Sequence, residues 1–246
     1  MCEVSGQKIW RARIIDVLLP SVSNAKKNIM MLYKYKPTTW AELKHAVGDE
    51  IRFQGDCADL NCIDTSLVTD MSGLFVYYSK FNGNISEWDV SSVTDMRMMF
   101  YGCTFNGDIS KWNVSNVKNM GHMFSFSKFN GDISSWNVGG VSVMDGMFKK
   151  SAFSGNISEW DVGNVKDMGE MFYGCTFNGD ISRWNVSKVE NMRWMFANSP
   201  FNQNISKWVV GDECDTESMY EVSAINPMFK HNYVDLSEDI DVGDLY

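Results

Sequence analysis

The chain has 246 residues, 44% of them hydrophobic, so it can bury a substantial core. Its net charge of −9 is concentrated in residues 209–246, which carry one basic and ten acidic side chains, whereas residues 63–208 carry twelve basic and fourteen acidic ones. No basic stripe favours nucleic acid, and no apolar run is long enough for a membrane span, so we expect neither nucleic-acid binding nor membrane insertion.

The first 62 residues precede the regular pattern. Residues 1–32 form an N-terminal extension in which Asp16 and Pro20 interrupt the apolar run, so we do not expect a signal peptide. Residues 33–62 are predicted to be an N-terminal cap. Thr39 and Glu42 have the spacing of a capping box, which predicts a short helix from there to about Val47.

From Phe81 onward a 24-residue unit recurs without gaps to about Trp208, with the pattern F-N-G-[N/D]-I-S-x-W-[D/N]-V-[S/G]-x-V-x-[D/N]-M-x-x-M-F. An earlier half-unit begins at Ile63, so the repeat region is residues 63–208. Eight columns are apolar in nearly every copy and predict the core. In the first copy they are Phe81, Ile85, Trp88, Val90, Val93, Met96, Met99 and Phe100.

Each unit changes rhythm along its length. Trp88 and Val90 alternate with Glu87 and Asp89, which predicts a short β-strand, and the spacing from Val93 to Phe100 predicts a short helical or 3₁₀ turn. One strand and one turn per unit predict an α/β repeat solenoid of the leucine-rich-repeat type, with a single parallel sheet as one face.

The repeats resemble those of the BspA-like leucine-rich-repeat surface proteins. The resemblance is carried by the stretch from Val93 through Cys103, followed by the F-N-G-D-I-S-K-W-N-V-S run that begins at Phe105. It covers residues 33–208, and it implies a leucine-rich-repeat fold and a role in adhesion or protein binding at a cell surface. Because no signal peptide is expected, a cytoplasmic location stays open.

Polar side chains form columns on the predicted strand face. Solenoids use such faces for binding, so we predict that a protein partner contacts eight of these residues. They are Glu87, Asp89, Lys111, Asn113, Glu159, Asp161, Arg183 and Asn185. Stacking would pair Glu87 with Lys111 and Glu159 with Arg183. The Asp and Asn columns could instead line a calcium site, but hydrogen bonding to turn backbone groups explains them better.

No cofactor or metal is expected, because the Met columns repeat at the spacing of core residues and the Asp and Asn columns fit turn capping. His45, His122 and His231 are isolated from one another, and nucleophile and nucleotide-binding motifs are absent, so the sequence does not indicate an enzyme. The aromatic residues Tyr101, Phe126, Tyr173 and Trp194 lie on the turn side and could form an exposed apolar edge, but they do not repeat regularly, so a rail for stacking sugars is not supported.

The C-terminal region completes the predicted organisation. Residues 209–232 are predicted to be a degenerate cap, with Met228 and Phe229 as a last relic of the Met-Phe pair, and residues 233–246 an acidic, flexible tail. The leading functional hypothesis is a monomeric, non-enzymatic interaction or adhesion module. The alternative is a structural scaffold that assembles end to end.

Overall fold

The computed structural model describes residues 34–230. The first helix in this range is α1, Trp40–Gln54. The Thr39 side chain accepts the Glu42 backbone N–H, so the helix begins where the capping box predicts, and it extends seven residues beyond Val47. The Trp40 indole N–H donates to the Ser72 carbonyl at 2.7 Å. The helix therefore covers the open end of the first coil.

Behind α1 the chain forms a stack of 24-residue coils, but the predicted β-strand and parallel sheet are wrong. Within residues 34–230 there is no strand, and backbone pairing is confined to isolated parallel bridges. Six of these bridges join successive coils in one column, which runs through Asp70, Asp95, Asn119, Val143, Asp167, Asn191 and Asp215. The described residues therefore form a repeat domain without a sheet rather than an α/β solenoid.

Turns replace the predicted strand because its backbone groups are already engaged. The Asp108 side chain accepts the Ser110 N–H at 2.9 Å, and the Trp112 N–H donates to the Ile109 carbonyl at 3.2 Å. The same carbonyl accepts the Trp136 indole N–H of the next coil at 3.1 Å. A carbonyl that already accepts two hydrogen bonds has no free lone pair for a strand partner.

The predicted helical or 3₁₀ turn is also absent, and successive β-turns take its place. Met99 N–H donates to Met96 O at 3.2 Å, and Tyr101 N–H donates to Met98 O at 3.1 Å. Between these turns, the Met98 N–H points out of the coil and donates to Gly121 O of the next coil at 2.9 Å. Met98 has φ 57°, a left-handed conformation that no right-handed helix accommodates.

The core is formed by the columns that the repeat predicts. The eight apolar residues of the first copy are all at most 4% exposed, and this prediction is confirmed. Phenylalanine rings stack within and between coils: Phe100 lies 4.4 Å from Phe105 and 5.5 Å from Phe124, centroid to centroid. Because each coil buries its apolar groups against the next, stacking supplies the stability that a single coil lacks.

The C-terminal end of the stack continues the repeat further than the sequence predicts. Met219 and Tyr220 take the Met-Phe positions, with the Tyr220 ring 6.1 Å from Phe196. Met228, expected there, is 83% exposed, and Phe229 O accepts the Ile205 N–H at 2.9 Å. The predicted extension, residues 1–32, and acidic tail, residues 233–246, lie outside the described residues. No helix of residues 34–230 is long and apolar enough to span a membrane.

Candidate functional site

The polar face, defined as the eight residues predicted to contact a partner, is exposed at every position. Four of its members hold turns: Asp89, Asn113, Asp161 and Asn185 each accept the backbone N–H two residues ahead, at 2.9–3.2 Å. These side chains have the turn-capping hydrogen bonds that the sequence favoured over calcium. No group of three His, Cys, Asp or Glu side chains within residues 34–230 is arranged to hold a metal ion.

The four longer charged side chains of the polar face, Glu87, Lys111, Glu159 and Arg183, differ in their pairing. Arg183 lies 3.9 Å from Glu159, with both side chains at least 75% exposed. Glu87 and Lys111, both described, form no ion pair within 4.0 Å. An exposed pair of this kind contributes little to stability because water screens it, so all four charges remain accessible.

A further column of Asp and Asn residues, which starts at Asn84 and includes Asp108, Asp132 and Asp180, also caps turns. Asp108, Asp132 and Asp180 accept backbone N–H groups of Ser110, Ser134 and Ser182 at 2.9–3.0 Å. These backbone hydrogen bonds hold the pKa of each carboxyl below its ordinary value, since they stabilise the charged form. The column is therefore part of the frame that sets the coil shape.

A second surface, the turn face, consists of the outward positions of the successive turns. In the coil that begins at Phe81 these are Arg97, Met98, Tyr101 and Gly102. Two of the four positions have positive φ in coil after coil. One column contains Gly73, Met98, His122, Gly146, Glu170, Trp194 and Ser218, and the other contains Gly102, Phe126, Lys150, Gly174, Asn198 and Val222. Glycine is the least strained residue there, yet nine of these thirteen are not glycine.

The middle of the turn face holds an aromatic–lysine strip of five residues: Tyr101, Phe126, Lys149, Lys150 and Tyr173. The Tyr101 and Phe126 rings lie 5.5 Å apart. Lys150 Nζ lies 5.6 Å from the centroids of both Phe126 and Tyr173, and Lys149 Nζ lies 5.3 Å from Tyr173. Lys149 forms an ion pair with Glu170, whereas Lys150 has no carboxylate within 4.0 Å among the described residues.

The structure also brings together three residues that the sequence leaves apart. His122 Nδ1 lies 3.0 Å from Ser125 Oγ, and His122 Nε2 lies 3.1 Å from Asp145 Oδ2. Ser125 is fully buried, and its hydroxyl donates to Gly146 O at 2.6 Å. A nucleophile must be accessible to a substrate and must donate its proton to a base. The Ser125 hydroxyl is buried and donates to a backbone carbonyl instead, so the three side chains serve to fix the turn. His122, expected to be isolated, is therefore a structural contact.

Sequence reasoning raised an exposed apolar edge on the turn side but did not predict the turn face as a binding surface. Its aromatic residues were visible, but their irregular order hid the fact that two of them, Phe126 and Trp194, lie in the two columns of positive φ, whereas Tyr101 and Tyr173 share a third position. A usable signal was present: Gly102, Gly146 and Gly174 fall in those two columns, and recurrent glycine marks positive φ.

The coil geometry defines the class of the molecule: it is a tandem-repeat protein whose side chains vary on a fixed backbone. A family model described as "Mycoplasma protein of unknown function, DUF285" matches it twice, over residues 42–152 and 125–233. Together these matches cover residues 42–233, so the chain belongs to this family. No curated protein and no solved structure matches the chain.

Proposed function

We propose that this protein is a non-enzymatic interaction or adhesion module of the BspA-like type, which binds a protein partner through its turn face. The observation that carries the proposal is the occupancy of the positive-φ columns by large side chains such as Phe126 and Trp194. The left-handed conformation costs an L-residue about 1–2 kcal/mol, which glycine avoids. Strain of this kind concentrates where side chains have a function.

The composition of the turn face supports the same proposal. Tyrosine, tryptophan and arginine are the residues that most often anchor protein interfaces, and this face carries Tyr101, Tyr173, Arg193 and Trp194. Phe126 is 44% exposed and Trp194 is 36% exposed, so their rings are available to a partner. The resemblance to BspA-like surface proteins favours a partner met at the cell surface.

The polar face is the second candidate surface. It offers Glu87, Lys111, Glu159 and Arg183 as exposed charges, but no aromatic anchor. A partner that binds there would be steered by charge and would bind less tightly at high salt. End-to-end assembly is the alternative function, and light scattering over a concentration series tests it, since a scaffold grows in mass whereas a module stays monomeric.

The experiment that separates the two faces is capture of proteins from native cell and surface extracts on immobilised full-length chain. We expect Phe126→Gly and Trp194→Gly to lose the captured partner, because glycine removes the ring and relieves the positive-φ strain. The double variant Glu87→Lys, Glu159→Lys is the matched control and should retain it. Loss with the control alone would place the site on the polar face, and a partner kept by every variant would contradict both assignments.

A further inference from the structure

The turn face and the acidic end of the chain are complementary in charge. We propose that residues 233–246 dock on the aromatic–lysine strip of the same chain and so cover the binding face. The inference rests on the proposed function only in taking the turn face as the binding surface. It names a specific occupant for that surface and makes the acidic segment a competitor of the external partner.

The strip has a positive charge that the described part of the chain does not neutralise. Lys150 Nζ lies between the Phe126 and Tyr173 rings, 5.6 Å from each centroid, and has no carboxylate within 4.0 Å there. Aromatic faces hold an ammonium group in place while leaving its outer side open to an anion. The site is therefore suited to a carboxylate flanked by apolar side chains.

The C-terminal segment has this chemistry. Its fourteen residues include five acidic side chains and no basic one. Seven of the fourteen are apolar or aromatic: Tyr233, Val234, Leu236, Ile240, Val242, Leu245 and Tyr246. A segment that only needs to stay hydrated has few such residues, so this composition favours contact with an apolar surface as well as with a cation.

The connection permits the docking. Asn226 N–H donates to Asn202 Oδ1 and so continues the Asn column of the coils, four residues after Val222, the last residue in the column of Phe126 and Lys150. From Val222 back to Lys150 is three coils, about 14 Å at ~4.8 Å per coil. Sixteen residues after Lys230 can span up to about 50 Å. A segment of this length can therefore reach the strip.

The test is zero-length carbodiimide cross-linking of the full-length chain, with the linked peptides identified by mass spectrometry. We expect Lys149 or Lys150 to join acidic residues of 233–246 in the monomer fraction. Lys207 is the matched control, since it is exposed and about one coil before Lys230 but lies in the column of Lys111 on the polar side. Several-fold more linkage at Lys150 than at Lys207 is expected, and equal or greater linkage at Lys207 would overturn the proposal.

Phe126→Gly tests the aromatic part of the site. It removes the ring at φ 57°, where glycine is favoured, so the coil should stay folded while linkage at Lys150 falls at least threefold. Unchanged linkage would show attraction by charge alone and would overturn the docking. Linkage found only in dimers, rising with concentration, would overturn its assignment to the same chain.

The two proposals fail separately. If linkage at Lys150 is absent while Phe126→Gly still loses the captured partner, the docking is wrong and the interaction module stands. If linkage is present while no partner is captured either by the wild-type chain or by the variant with the five acidic residues of 233–246 replaced by their amides, the docking stands and the interaction module is wrong. Replacing the five acidic residues of 233–246 with their amides should increase partner capture, and unchanged capture would refute the competition.

Discussion

Two exposed valines allow the strain on the turn face to be measured. Val222 is 77% exposed and has φ 54°, whereas Val209 is 73% exposed and is not among the positive-φ residues. Either valine is only about a quarter buried, so replacing it with glycine loses about 0.3–0.7 kcal/mol of burial free energy. The replacement also raises the conformational entropy of the unfolded chain, which destabilises the fold by a further ~0.4–1 kcal/mol. Only Val222→Gly also recovers about 1–2 kcal/mol of left-handed strain.

We therefore expect Val222→Gly to be close to wild type in free energy of unfolding and Val209→Gly to lose about 1 kcal/mol. Thermal and urea unfolding of both full-length variants measure this, with about 2–4 °C in Tm for each kcal/mol. Amide exchange at Asn198, whose N–H donates to Glu221 O at 2.8 Å, reports whether the last coil frays. If Val222→Gly loses as much as Val209→Gly, side chains on the turn face carry no strain and the main support for the proposed function is gone.

Two further predictions test the frame of the coils. Burial, and then the nearby Asp145 charge, raise the pKa of Asp167, so its ionised form is unfavourable in the folded chain. Asp167→Asn should therefore raise Tm at neutral pH, and the gain should vanish as the pH falls below about 3.9, where wild-type Asp167 is protonated in both states. Trp136→Phe leaves Ile109 O without its 3.1 Å indole donor and should cost about 1–2 kcal/mol in urea unfolding. Trp194→Phe, at a site on the turn face that is 36% exposed, should cost less than about 0.5 kcal/mol.

The core could be predicted from the sequence because a period of 24 fixes which side chains stack, whatever backbone carries them. The strand could not, because alternation of Trp88 and Val90 with polar residues is the same in a strand and in an extended segment broken by turns. What decides is the Asn84 and Asp89 side chains, each of which accepts a backbone N–H two residues ahead. Asn or Asp followed by Ser at that spacing favours a turn, and this signal outweighs the alternation.

The site was harder to predict than the core, for a related physical reason. The polar face was visible because its residues alternate with core residues, and exposure follows from that pattern alone. The turn face depends on backbone angles, and Met98 or Trp194 gives no hint of positive φ by residue type. Only comparison between coils reveals it, since Gly146 occupies the column of Met98 and Trp194.

The same column shows why the turn face can vary. Met98, His122, Gly146, Glu170 and Trp194 have φ angles between 53° and 57°, although their side chains share neither size, charge nor shape. The backbone angle is therefore set by what all coils have in common, namely the N–H groups that donate to the next coil, and not by the residue present. A surface whose side chains can be exchanged without altering the backbone can change its binding specificity one position at a time. The stacked aromatic core makes that possible, because it stabilises each coil enough to tolerate two strained residues.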